Sequence, residues 1–169
     1  MRTVATTDIP RESLLRPFLA TATFHDAYRA DLRDVTLSPT EIYLHASRAT
    51  PRWVHALMSI RNELVRRVGL KSVGALNMAA DKLPAAFDVG DQIGIFGILS
   101  KTEDELLLGI DDRHLDLRVS IRKGTSSDPN SYVVATAVKV HNWLGRAYML
   151  PVGRIHPLVV KALMRRTLV

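Results

Sequence analysis

A histidine flanked by carboxylates is the smallest arrangement that moves protons near neutral pH, and residues 112–118 hold one. Asp112, His114, Asp116 and Arg118 alternate along the chain, and alternate side chains of an extended strand share a face. A hairpin closed by residues 124–130 would return the next strand antiparallel and set Lys139 and His141 on that same face. The expected result is a ladder of carboxylates, imidazoles and bases across two strands. In it, His114 or His141 beside Asp112 would act as a general acid–base pair, the carboxylate fixing the imidazole tautomer. The plainer reading is a solvent-facing row of ion pairs, each worth about 0–1 kcal/mol. The intervening Leu115, Leu117, Val119 and Ile121 favour the plainer reading, because such alternation describes a strand with one wet face.

Other chemistries find less support. Asp111, Asp112, His114 and His141 are ligand types that suit zinc or iron, but ligand type without convergence defines no site and no HExxH motif is present. The reading is no metal and no cofactor. With no cysteine in the chain, disulfides and thiolate chemistry are excluded. Gly90-Asp91-Gln92-Ile93-Gly94 lacks the glycines and lysine of a phosphate loop, and no serine sits in a Gly-x-Ser-x-Gly elbow. Whether the chain is an enzyme stays open. Asn142, where a strand gives way to a helix, either caps that helix or lines a cavity mouth, capping being the commoner job. Trp53, Phe96, Arg118, Asn142 and Tyr148 are the candidate lining of a ligand cavity between helix and sheet. Aromatic residues at helical or strand spacing are nevertheless more often plain core.

These residues need elements to hold them. Residues 22–32 read as a first strand, with Phe24, Tyr28 and Leu32 on one face and His25, Arg29 and Asp31 on the other. Ser38-Pro39-Thr40-Glu41 combines a serine cap, a proline at the first helical position and a capping-box glutamate, opening a helix to about Ser47. Thr50-Pro51 opens a second helix, closed by Gly69, whose Trp53, Leu57, Ile60, Leu64 and Val68, widened by Val54, Met58 and Val65, form the expected core face. Residues 71–90 read as a long connection, a common setting for lids and binding loops. Strands follow at Gln92–Ser100, Glu105–Asp111, Leu115–Lys123 and Ser131–His141, with a loop over 124–130. From Leu144 onward the pattern is helical, its apolar stripe running through Ala147, Tyr148, Pro151, Val152, Ile155, Val159, Ala162 and Leu163. Pro151 and Pro157 are expected to kink or break that helix.

The 169 residues fit one domain spanning 1–169, with an arm at 1–20, and bury roughly 70% of the unfolded surface. A hydrophobic fraction of 47% and a charged fraction of 24% are those of a globular protein. All 17 acidic side chains lie within residues 1–128, whereas Lys139, Arg146, Arg154, Lys161, Arg165 and Arg166 follow. The net charge of +6 therefore originates in the last quarter of the chain. Such asymmetry suits an anionic partner, or simply a solvated basic face at a helix C-terminus. Aromatics at 6% and the lack of a nucleic-acid motif leave a nucleic-acid role resting on charge alone. No stretch has the roughly 18 apolar residues of a membrane span, and the first residues lack a signal-peptide apolar core. The expected location is cytoplasmic, and the oligomeric state is open.

The order strand, two helices, antiparallel strands, long C-terminal helix lets helices cover one sheet face. It is similar to the helix-grip order of START domains, birch-pollen allergen relatives and polyketide cyclases (SRPBCC), with one of the six strands usual after the helix pair not evident, unless Gln92–Ser100 or 71–90 conceals it. More specifically, the chain resembles the bacterial domain of unknown function 2867 family. The match is carried by Phe24–Leu32, Pro51-Arg52-Trp53-Val54-His55-Ala56-Leu57 running to Leu70-Lys71, Gly90-Asp91-Gln92-Ile93-Gly94-Ile95-Phe96, Leu108–Ser120 with its Asp111-Asp112-Arg113-His114 run, and His141-Asn142-Trp143-Leu144-Gly145-Arg146-Ala147-Tyr148. The resemblance implies an α+β, START-like fold, a curved antiparallel sheet gripping the long C-terminal helix, and no established activity. Three function classes follow. The first is a protein holding a small apolar or amphipathic ligand between sheet and C-terminal helix. The second is a cyclase, hydrolase or isomerase using His114 or His141 with Asp112. The third is a scaffold or surface-docking module acting through the basic C-terminal helix.

Overall fold

The computed structural model describes residues 4–67, 83–125 and 128–166. One curved, unclosed antiparallel sheet of seven strands runs in the order β1-β2-β7-β6-β5-β4-β3. Its strands are β1 (Ala5–Thr6), β2 (Phe24–Asp31), β3 (Gln92–Ile93), β4 (Phe96–Lys101), β5 (Glu105–Asp111), β6 (Leu115–Thr125) and β7 (Asp128–Val140). The helices are α1 (Arg16–Leu19), α2 (Pro39–Arg48), α3 (Arg52–Arg67) and α4 (Trp143–Arg166). The α+β class and the sheet-plus-C-terminal-helix arrangement agree with the sequence reading.

Local chemistry accounts for the element starts. Ser38 Oγ accepts from the Glu41 backbone N–H at 3.3 Å, and Glu41 Oε2 accepts from the Ser38 N–H at 2.7 Å, so the capping box is closed with Pro39 in the first turn. Those Ser38 hydrogen bonds hold the Glu41 carboxyl below its ordinary value. Asn142 Oδ1 accepts from Gly145 N at 3.1 Å, so Asn142 caps α4, while its Nδ2 donates to the Arg113 carbonyl at 3.1 Å.

Register divides the sheet into two faces. On the inner one, Ile110, Leu117, Val138 and Phe24 form one row, Leu108, Val119, Thr136 and Asp26 the next, and Leu106, Ile121, Val134 and Tyr28 a third. Leu115 and Ile121 are buried and Leu117 and Val119 half-buried, all on this side. Ile42, Tyr43 and Leu44 of α2 and Val160 and Met164 of α4 pack into the same cluster. The outer face is covered in part by the N-terminal arm, whose Ile9 and Leu15, with Phe18 and Leu19 beside them, pack on Ala27, Val133, Ala135 and Ala137.

Several expectations need correcting. Gln92–Ser100 is not one strand: Gly94, at φ +61°, turns the chain between β3 and β4, which supplies an additional strand. The loop at 124–130 is shorter than its polar composition suggests, because β6 extends to Thr125 and β7 starts at Asp128. On α3, Val54 is buried and Leu57 and Met58 half-buried, but Trp53 is 44% and Ile60 58% exposed. The core stripe is rotated away from them, since a helix touching one layer buries only one stripe. Helix α4 is not broken at Pro151 or Pro157, and its sheet-facing stripe holds Gly145, Val160 and Met164, leaving Ile155 exposed. Val68, Gly69, most of the 71–90 connection and the side chains of Leu64 and Val65 lie outside the described residues.

Candidate functional site

After Asn142 the chain turns back, and α4 runs over β2 and β7. The contacts order themselves along it. Gly145 meets the β5–β6 turn so closely that an added Cβ would lie 2.3 Å from the His114 carbonyl oxygen. The Tyr148 ring stands edge-on to His114, centroids 5.7 Å apart. His156 stands edge-on to Phe24 at 6.1 Å. Lys161 Nζ lies 5.3 Å from the centre of the Tyr28 ring, and the Met164 carbonyl accepts from the Tyr132 hydroxyl at 3.2 Å.

Midway along α4 a polar cluster interrupts the apolar inner face. Asp26 Oδ2 accepts from the Tyr28 hydroxyl at 3.1 Å and lies 3.0 Å from His156 Nδ1. Oδ1 of Asp26 is buried and has no hydrogen-bond partner among the described residues. The Tyr28 hydroxyl is pushed up to about 12, first by burial and then by the Asp26 charge and hydrogen bond. It therefore stays protonated, a donor at any physiological pH. With Asp26 against Nδ1, the neutral imidazole of His156 is favoured as the Nδ1–H tautomer, leaving Nε2 as an acceptor.

Beside this cluster the inner face is not sealed. Ile110, Leu117, Val119 and Val134 keep partial exposure, although β5, β6 and β7 are interior strands of the sheet. Helix α2 packs on β5 and β6, α4 packs on β2 and β7, and the two helices also touch each other. These apolar side chains and the Asp26–His156–Tyr28 cluster lie on the same face of the sheet. A hollow of about 420 Å³ lies elsewhere, between Ser38–Thr40, Asp88, Val89 and Lys101–Glu103.

The residues singled out in the sequence scatter. Asp112 and His114 meet, Nδ1 to Oδ2 at 3.2 Å, with His114 1% exposed, but they sit in the turn between β5 and β6 and not on a strand face. His141 pairs instead with Asp116, at 3.0 Å. Arg118 belongs to the outer face, bonding Asp111 Oδ1 at 2.5 Å and lying 4.9 Å from the centre of the Phe18 ring. Phe96 is core, edge-on to Tyr43. Trp53 is on the exposed side of α3. Asn142 caps and Tyr148 packs on His114. Among the described residues no three His, Asp or Glu side chains converge as a metal site, and no helix is long and apolar enough to cross a membrane.

Asp26, Tyr28 and His156 were overlooked, yet parity points to one of them. Asp26 shares the face of Phe24 and Tyr28, and a carboxylate at an inward position needs an explanation. His156 carried no comparable signal, because the prolines obscured the phase of α4. The outer face holds a fully buried carboxylate. Glu105 accepts from Ser13 Oγ at 2.6 Å, Ser120 Oγ at 2.5 Å, the Leu14 N–H at 3.0 Å and Arg122 Nη1 at 3.0 Å. It pins the N-terminal arm to β5 and β6.

The family model described as "Protein of unknown function (DUF2867)" matches residues 18–163. No curated protein and no solved structure matches the chain.

Proposed function

This chain belongs to the DUF2867 family, whose description names no activity, and we propose that it binds a small amphipathic molecule between the sheet and α4. One observation carries the reading: Ile110, Leu117, Val119 and Val134 are partly exposed on interior strands, on the face that packing would otherwise seal. Apolar side chains left open there favour an apolar guest, at about 25 cal/mol for each Å² removed from water. Asp26 supplies the polar end. Among the described residues its Oδ1 is a buried acceptor lacking a donor, a state costing about 1–3 kcal/mol, which a ligand hydroxyl or N–H would relieve. Val119 and Asp26 lie two strands apart in one row, about 10 Å, so the ligand places its donor roughly that far from its apolar body. The enzyme alternative, His114 with Asp112, is less well supported, because a histidine 1% exposed under Tyr148 offers no surface to a substrate.

Thermal unfolding with a panel of medium-chain alcohols, amines and carboxylic acids tests this. A ligand at a hundred times its Kd stabilises by about 2.7 kcal/mol, which at this size raises Tm by about 5–10 °C. Alcohols or amines should stabilise more than carboxylates, and Val119→Trp, which fills the proposed site, should abolish the shift while leaving the unliganded Tm within a few degrees. No shift with any member, and no co-purifying species in native mass spectrometry, would reject the reading.

A further inference from the structure

The side of α4 turned away from the sheet is built unlike an ordinary solvated helix face. Trp143, Leu150 and Leu158 are 77%, 65% and 63% exposed, and Arg146, Arg154 and Arg165 lie exposed among them. At 100° per residue, Trp143, Leu150, Arg154, Leu158 and Arg165 fall within an arc of about 80°, along some 33 Å of helix. Large apolar side chains in a row on a surface mark an interaction site more than a fold requirement, because the stripe that holds α4 to the protein is a separate one, at Gly145, Val160 and Met164. We propose that this face of α4 is a docking surface for anionic lipid, lying in the headgroup layer with Trp143, Leu150 and Leu158 in the acyl boundary and the arginines on lipid phosphates.

Two features favour that occupant over others. The chain has no Asp or Glu after Asp128, so α4 carries no carboxylate to repel an anionic surface. A second copy meeting this face about a two-fold axis would bring the same arginines against each other, which like charges disfavour. Alternating tryptophan, leucine and arginine instead suits a membrane interface, where indole sits at headgroup depth and arginines extend to phosphate. No described helix is long and apolar enough to span a bilayer, and α4 is half-committed to the sheet, so it would lie on the surface and not cross it.

The chain has two tryptophans, so Trp53→Phe leaves Trp143 as the sole indole reporter. The full chain carrying that change is titrated with vesicles of phosphatidylcholine alone and of phosphatidylcholine with phosphatidylglycerol, two to one. The expected result is a blue shift and gain of Trp143 emission with the anionic vesicles only, lost at high salt. Arg154→Gln with Arg165→Gln should weaken partitioning about 25-fold, at about fivefold per arginine. Leu150→Ser with Leu158→Ser should abolish it. Since all four side chains are exposed, the far-UV spectrum and Tm of both double variants should match the parent and separate lost docking from lost fold. Equal binding to neutral vesicles, no emission change with either, or a dimer in size-exclusion chromatography that Leu150→Ser with Leu158→Ser disperses would overturn the proposal.

Discussion

Replacing Glu105 by glutamine changes one buried atom from acceptor to donor, and the surroundings make the outcome calculable. The carboxylate is fully buried and accepts from two hydroxyls, the Leu14 N–H and Arg122. The amide oxygen of glutamine still serves Ser13, Ser120 and the Leu14 N–H, which lies 3.0 Å from both carboxylate oxygens. Its NH₂ then faces the Arg122 guanidinium, donor against donor, and Arg122 loses its counter-charge. Breaking one side of a buried ion pair costs about 3–5 kcal/mol. Arg122 keeps 18% of its side-chain exposure, so water offsets part of this, and the expected loss is about 3 kcal/mol. Urea unfolding would register the loss as a lower midpoint at unchanged slope. The arm should loosen as well, with trypsin cutting after the exposed Arg11 many times faster than in the parent. Adding Arg122→Met to Glu105→Gln should recover more than half of the stability, since no unpaired charge then remains. A loss under about 1 kcal/mol with arm cleavage unchanged would refute the account of Glu105 as the clamp.

Two further outcomes follow from local geometry. Gly145→Ala would push its Cβ against the His114 carbonyl, a backbone atom that cannot swing aside, so thermal unfolding should show a loss of about 1–3 kcal/mol. A loss below about 0.5 kcal/mol would mean that the 112–114 turn shifts freely. The Glu41 carboxyl is lowered from 4.5 by its Ser38 hydrogen bonds, so its contribution is complete above pH 4.5 and drains away as pH falls through the depressed folded value. Stability measured downward from pH 4.5 should therefore decline less steeply in Glu41→Gln than in the parent, and parallel curves would contradict this.

Where local rules act alone, the sequence was a good guide. The capping box at Ser38, the cap at Asn142 and the alternation of β6 are one-element signals, and each is where the residues put it. The errors arose where phase or tertiary packing decides. Alternation read through Asp112 and His114 crossed a turn, so four residues assigned to one ladder divided between a buried turn and the outer face. Trp53 and Ile60 recur at helical spacing, but spacing does not say which side of α3 meets the core. A glycine at positive φ split one apolar run into β3 and β4. The cluster at Asp26 joins residues 130 positions apart, and no window of sequence contains both of its halves.

The pairing of β2 with β7 has a consequence for how the molecule is made. The two strands stand side by side inside the sheet, Tyr28 opposite Val134, with roughly a hundred residues of chain between them. A ribosome adding about 5–20 residues each second has β2 outside for several seconds or more before its neighbour exists. Through that wait the edge of β2 that will meet β7 lacks its partner strand, and nascent Phe24, Ala27 and Tyr28 must avoid sticking to other chains. His25, Arg29 and Asp31, facing away from the α4 side, keep the waiting segment in water until β7 arrives.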